Sequence, residues 1–240
     1  SLFSPHDVPG LYDAFGTDAF DDLYVGYESD GSIPRKTLKA QDLFLDLLKE
    51  RAETGRLYIM NIDHCNSHSS FMDKVEMSNL CQEITLPTKP LKHIDDENGE
   101  IALCILSAIN IGKIRDLEDL EILCDLAVRS LDELIDFQNY PIRAAEIATK
   151  ARRSLGIGYI GLAHYLAKNG VNYSDTEAWK LVHDLTEAFQ YYLIQSTVNL
   201  AEEKGACEYS SRTKYGNGIL PIDTYKHDVD EIVANELHYD

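Results

Sequence analysis

Hydrophobic positions fall into blocks of different period, and those periods set the expected elements. From Lys36 to Thr54, Leu38, Phe44, Leu45, Leu48 and Ala52 recur near helical spacing, and Gly55 follows as a natural helix stop. Leu57–Met60 is a short strand-like run, and Cys65 to Met77 reads as a polar loop. Ser78 to Leu86 alternates and is closed by Pro87 and Pro90, so it predicts a loop entering a strand. Ile101 to Ile111 is a nearly continuous apolar run between Gly99 and Gly112, the pattern of a strand buried on both faces in an α/β barrel or doubly wound sheet. Helices are expected from Leu117 to Phe137, from Pro141 to Ser154, over Leu162 to Lys168 with Gly170 as its stop, and from Thr176 to Lys204 with Gly205 closing it. Asp175 or Ser174 can cap the last of these. Gly156 to Gly161 interrupts the helical pattern, and Pro5 to Asp30 reads as short helical or irregular pieces. With no repeat and no low-complexity linker, one mixed α/β domain is the economical reading.

Composition narrows the function classes. Over 240 residues, 22 basic and 41 acidic side chains give a net charge of −19, and no basic stripe is present, which argues against a nucleic-acid surface. No apolar run approaches the roughly 20 residues of a membrane span, and no signal peptide opens the chain, so a cytoplasmic protein is expected. Cys65, Cys81, Cys104, Cys124 and Cys207 are odd in number and irregularly spaced, which does not suit a secreted disulfide framework. Ser1 in first place and a polar Asp228 to Asp240 lead to the expectation that this is part of a longer chain.

The segment Asn79-Leu80-Cys81-Gln82-Glu83 carries the most chemistry. In an extended chain Asn79, Cys81 and Glu83 share a face, an amide, a thiol and a carboxylate along about 13 Å of backbone. Such a set offers a hydrogen-bonding group, a nucleophile or hydrogen-atom carrier, and a general base. A half-buried strand with a core cysteine and a solvated glutamate is the plainer alternative, and Cys104 inside its apolar run defaults to a small core hydrophobe. Gly156-Ile157-Gly158-Tyr159-Ile160-Gly161 spells a dinucleotide fingerprint, but the charged, helix-favouring Ala144 to Arg153 stands where a strand should precede it. His64, Cys65 and His68 lack a fourth ligand for zinc, the acidic turn Asp95 to Gly99 lacks the pattern of a calcium loop, and Phe189, Tyr191 and Tyr192 fit helix packing.

Several ordered motifs then resemble one family. Ser78 to Ile84, Leu86-Pro87-Thr88, Gly99 to Cys104, Asp63-His64-Cys65-Asn66, Arg152 to Gly158 and Gly218 to Tyr225 are similar to the catalytic large subunit of class I ribonucleotide reductases, and the likeness runs from Leu2-Phe3-Ser4-Pro5 to Leu237-His238-Tyr239-Asp240. The resemblance implies part of a ten-stranded α/β barrel of two half-barrels, with a central finger loop carrying Cys81 at its tip. It implies that Cys81 becomes a thiyl radical that takes the C3′ hydrogen of a ribonucleoside diphosphate, with Glu83 accepting the 3′-hydroxyl proton. Ser78, Asn79 and Glu83 would bind the substrate, and Asn79 would assist through its amide.

Cys104 matches one of two reductant thiols, whose partner is not among the cysteines of this chain. No cofactor or metal is implied for these residues: the radical comes from a metal-containing small subunit, and ATP and deoxynucleotide effectors bind elsewhere in the full-length subunit. Thioredoxin or glutaredoxin and a second large subunit are the further partners implied. The glycines from 156 to 161 take a place in the barrel scaffold. Residues 1–240 are thus expected to be one portion of the barrel domain, with an amino-terminal activity domain and a carboxy-terminal tail outside it. A dinucleotide-binding oxidoreductase and a non-catalytic structural fragment are the competing readings. The 240 residues alone are expected not to reduce ribonucleotides; deoxynucleotide formed by the isolated polypeptide in a radiolabelled-substrate assay would overturn this.

Overall fold

A computed structural model describes residues 1–220 and Asp223. The motif from Pro221 to Tyr225, apart from Asp223, and the closing Leu237 to Asp240 lie outside the described residues. The chain divides into two compact units, Ser1–Pro87 and Thr88–Asp223.

The first unit holds β1 (Leu2–Phe3), α1 (Asp18–Ser29), β2 (Arg35–Lys36), α2 (Ala40–Thr54) and α3 (Ile62–Ser67), with β1 and β2 antiparallel. α2 forms where the periodicity places it, and Gly55 ends it in the left-handed conformation, its N–H returning to the Arg51 carbonyl. Yet none of its residues is buried, and Phe44 is 57% exposed. Two expectations fail here. Leu57–Met60 is not a strand, because among the described residues no neighbouring strand takes up its backbone groups, and α3 occupies the start of the expected loop at Cys65.

The second unit is built on two parallel strands, β3 (Ile105–Asn110) and β4 (Leu155–Ile160), paired from Ile105 opposite Leu155 to Asn110 opposite Ile160. The crossover between them carries α4 (Asp119–Phe137) and α5 (Arg143–Arg152), and α6 (Leu162–Lys168) and α7 (Thr176–Lys204) follow. The core gathers Ile109, Ile111, Ile114, Leu120, Cys124, Leu185 and Phe189, with Ile157 and Tyr159 of β4 packed on it. α7 has the bounds read from sequence, and Asp175 stands at its N-cap position, its carbonyl accepting the Ala178 N–H at 3.0 Å, while its carboxylate accepts the Asn172 N–H, 2.8 Å away, instead of a helix N–H.

β3 brings one further correction. The apolar run forms a strand only from Ile105, and one face alone is covered, since Leu106, Ala108 and Asn110 are exposed while Ile109 is buried. The glycines from 156 interrupt the helical pattern as read: Gly156 and Gly158 lie inside β4, where paired backbone supplies the order, and Gly161 stands in the left-handed conformation just before α6. Among the described residues the strands make two two-stranded sheets, and no closed barrel is present.

Buried charge fixes the entrance to this sheet. Glu100, just before β3, and Arg152, at the end of α5, are each 3% exposed at their side chains, and Arg152 donates to Glu100 Oε2 from Nη2 at 2.6 Å and from Nε at 3.2 Å. Lys89 Nζ stands 2.7 Å from Oε1 and Arg212 Nη2 3.6 Å from it. The backbones of Lys89 and Glu100 also exchange both hydrogen bonds. The Tyr209 ring lies against both arginines, 4.0 Å from Arg212 Cζ and 5.1 Å from Arg152 Cζ.

Burial by itself pushes the Glu100 carboxyl up, but hydrogen bonds and charge from Lys89 and Arg152 together hold it below the usual value of 4.5. The unfolded state therefore binds this proton more readily than the folded one, so the stability that Glu100 contributes is present above about pH 4.5 and lost as pH falls through its lowered value. Arg152→Ala should cost about 1.5–3 kcal/mol, because Glu100 loses its buried partner and keeps Lys89 and Arg212. Thermal melts from pH 7 to 3 should show a smaller acid loss in Glu100→Gln than in the parent; equal losses would show that Glu100 is not the responsive group.

Candidate catalytic turn and thiols

The candidate turn is reached through an asparagine clamp. Asn66, on α3, donates from Nδ2 to the Ile62 carbonyl at 2.8 Å and the Val75 carbonyl at 2.9 Å, and its Oδ1 accepts the Val75 N–H at 2.8 Å. Val75 is fully buried, so the clamp satisfies two backbone groups that water cannot reach. Sequence reasoning quoted Asn66 only within a motif; an asparagine facing a buried valine nine residues on leaves no periodic signal.

Downstream, Asn79, Cys81 and Glu83 do not alternate along a strand. The Asn79 carbonyl accepts the Gln82 N–H at 3.2 Å, its Oδ1 accepts the Ile84 N–H at 3.0 Å, and Ser78 Oγ donates to the same carbonyl at 3.2 Å. Gln82 has φ of 62°, a left-handed conformation uncommon outside glycine. The side chain of Asn79 thus competes with strand pairing for the backbone, as asparagine does in turns, and wins. Ser78 is half-buried, Asn79, Cys81 and Glu83 are exposed, and Leu80 between them is 83% exposed. An amide, a thiol and a carboxylate are brought onto one tight turn. With Oδ1 of Asn79 committed to Ile84, the amide nitrogen is the end it can offer a ligand.

The other thiols sit in different settings. Cys104 precedes β3 in the second unit, half-buried, with Sγ 3.9 Å from the Ile105 carbonyl. Cys124 is fully buried, and burial pushes its thiol up to about 11, which keeps it protonated and inert. Cys207 lies with Sγ 3.6 Å from the Arg152 carbonyl, and burial raises it too. Cys65 is half-buried on α3, and the rings of His64 and His68 meet edge to face at 6.3 Å. Among the described residues no group of three or more His, Cys, Asp or Glu is arranged to hold a metal ion, and no helix is long and apolar enough to cross a membrane. The dinucleotide reading of Gly156 to Gly161 loses its geometry, because the first two glycines are paired within β4 instead of forming a turn between strand and helix.

Comparison with known proteins gives a consistent result. The family model described as "Ribonucleotide reductase, barrel domain" matches residues 1–238. A Haemophilus influenzae protein named ribonucleoside-diphosphate reductase subunit alpha is 60% identical across 100% of this chain and 32% of its own length. The Escherichia coli ribonucleoside-diphosphate reductase 1 subunit alpha is 56% identical over the same shares, and the subunit alpha of phage T4 is 40% identical over 98% of this chain and 31% of its own. The chain spans about a third of the length of the curated relatives it matches.

Replacing Asn66 by alanine leaves the Val75 N–H and carbonyl buried without partners. The expected cost is about 2–4 kcal/mol, read as a lowered urea midpoint with an unchanged slope. An unchanged midpoint would show that the clamp is not what holds this segment.

Proposed function

The chain belongs to the ribonucleotide reductase barrel-domain family, and from that premise we propose that it forms the part of a catalytic subunit in which ribonucleoside diphosphates are reduced to 2′-deoxyribonucleoside diphosphates. The observation that carries this reading is the Asn79 to Glu83 turn, which puts a donor, a thiol and a carboxylate within five residues on an exposed loop. β3 and β4 are then neighbouring strands of a ten-stranded barrel of two half-barrels, and the turn is the tip of its central finger loop.

Each group has a physical reason for its role. Sulfur in the thiyl form of Cys81 forms an S–H bond by taking the hydrogen atom of C3′, leaving a carbon-centred radical. Glu83 accepts the proton of the 3′-hydroxyl, which raises electron density at the 3′-oxygen and helps the 2′-hydroxyl leave as water, its extra proton coming from the reductant thiol pair. Asn79, its oxygen occupied by Ile84, donates from its nitrogen to a substrate hydroxyl and so orients the ring. Gln82, with its left-handed backbone, closes the turn that carries both Cys81 and Glu83. Cys104 supplies one of two thiols whose oxidation to a disulfide provides the electron pair, later restored by thiol exchange with thioredoxin or glutaredoxin. The radical on Cys81 is supplied by a metal-containing small subunit. The full subunit is a cytoplasmic homodimer in this reading, with nucleotide effectors bound outside these residues.

The test is a chimera in which residues 1–240 replace the matching segment of the Haemophilus influenzae relative, assembled with a radical-generating small subunit. It should form deoxynucleotide, and Cys81→Ser should lower the rate by at least about a thousandfold with nucleotide binding retained. Turnover in Cys81→Ser equal to that of the parent chimera would end the proposal.

A further inference from the structure

The face of β3 and β4 turned away from the core is nearly bare. Cys104, Leu106, Ala108 and Asn110 alternate onto it from one strand, and Gly156 and Gly158 from the other. The two glycines differ in what surrounds them. A Cβ placed on Gly158 meets nothing within 4 Å, whereas one on Gly156 would lie 3.0 Å from Cys104 Sγ and 2.4 Å from Leu106 Cδ2. Ordinary contact between such atoms needs about 3.5–4.0 Å. Backbone conformation does not call for glycine at 156, since its φ is not left-handed, and a glycine inside a strand is destabilising relative to alanine. The space it leaves is therefore the physical use of this residue.

Of the two neighbours, Leu106 is the easier to move. Its side chain is 59% exposed and can swing outward, while Cys104 is half-buried and has one side-chain torsion with which to relocate its sulfur. We propose that Gly156 is a positioning residue for the Cys104 thiol: the missing side chain is the seat in which Sγ rests. The inference rests on the reading of Cys104 as a reductant only for its functional weight, because a displaced sulfur meets its disulfide partner at the wrong distance and angle. The contact itself stands on the geometry alone.

The measurement is made on the chain and repeated in the chimera. Gly156→Ala should change several-fold the rate at which iodoacetamide modifies reduced Cys104, followed peptide by peptide in a mass spectrometer with Cys81 as the internal reference. Gly158→Ala should leave that rate unchanged. In melting experiments the loss caused by Gly156→Ala should shrink in a Cys104→Ala background, and Gly158→Ala should show no such dependence. If Gly156→Ala does not fold, a folded Gly156→Ala/Cys104→Ala chain supports the proposal and an unfolded one overturns it. Unaltered modification of Cys104 in Gly156→Ala overturns it, as does a melting loss that is relieved by Leu106→Ala and not by Cys104→Ala. Undiminished single-turnover product from a pre-reduced Cys104→Ser chimera would instead remove the reductant reading and leave the Gly156 contact in place.

Discussion

A carboxylate with almost no access to water, held between cations, organises the second unit. Glu100 stands at the threshold of β3 and Arg152 at the threshold of β4, so their ion pair ties together the two points from which the parallel strands set out. Lys89 adds its ammonium and its backbone to the same carboxyl-bearing residue, and Tyr209 sets its ring against both nearby guanidinium groups. Burying such charges is costly, and the short contacts to Arg152 and Lys89 offset that cost. Sliding either strand by one position would separate Glu100 from Arg152 and turn the core residues Ile109 and Ile157 to the wrong face.

Around that anchor, acidic excess is put to structural use. Asp132, nearly buried on α4, receives Arg153 at 2.5 Å and Lys204 at 3.1 Å, and Asp136 takes the other side of the Arg153 guanidinium. Arg129 joins Asp125 on its own helix to Glu203 on α7. Single pairs of this exposure are worth little, but here they share partners and run along one side of the α4 and α7 contact. Arg153 itself adopts a left-handed φ of 49° at the end of α5, and its two aspartates hold it there. The strain falls immediately before β4, and thus close to the seat of Cys104.

The helices were legible because their signals are local. α7 begins and ends where the sequence places it, since Gly205 closes an unbroken helix-favouring run, and α4 departs only at its first turn. What could not be read depends on partners. The alternation from Ser78 looked like a strand because period-two spacing says nothing of an asparagine whose oxygen reaches five residues ahead to Ile84. Gln82 gave no warning of its left-handed backbone, which a glycine in its place would have done. The Leu57–Met60 run has strand composition without a strand to meet, and the glycines of β4 looked like punctuation because their order comes from β3. At the candidate site, the residue types were visible through motif resemblance, while the supports, Asn66 and Gly156, act through a buried backbone and an empty volume that sequence periodicity does not report.

The parallel pairing of β3 with β4 also bears on how the unit acquires its structure. Two strands joined by a crossover of two helices cannot zip from a tight turn; each pair forms only after a long stretch of chain has been closed, and loop entropy is lost before any pairing is gained. α4 and α5 can form early from local contacts, but Glu100 and Arg152 meet only when closure is complete. The barrier to reaching the native arrangement is therefore topological in origin, set by the long closure that must precede the pairing of β3 with β4.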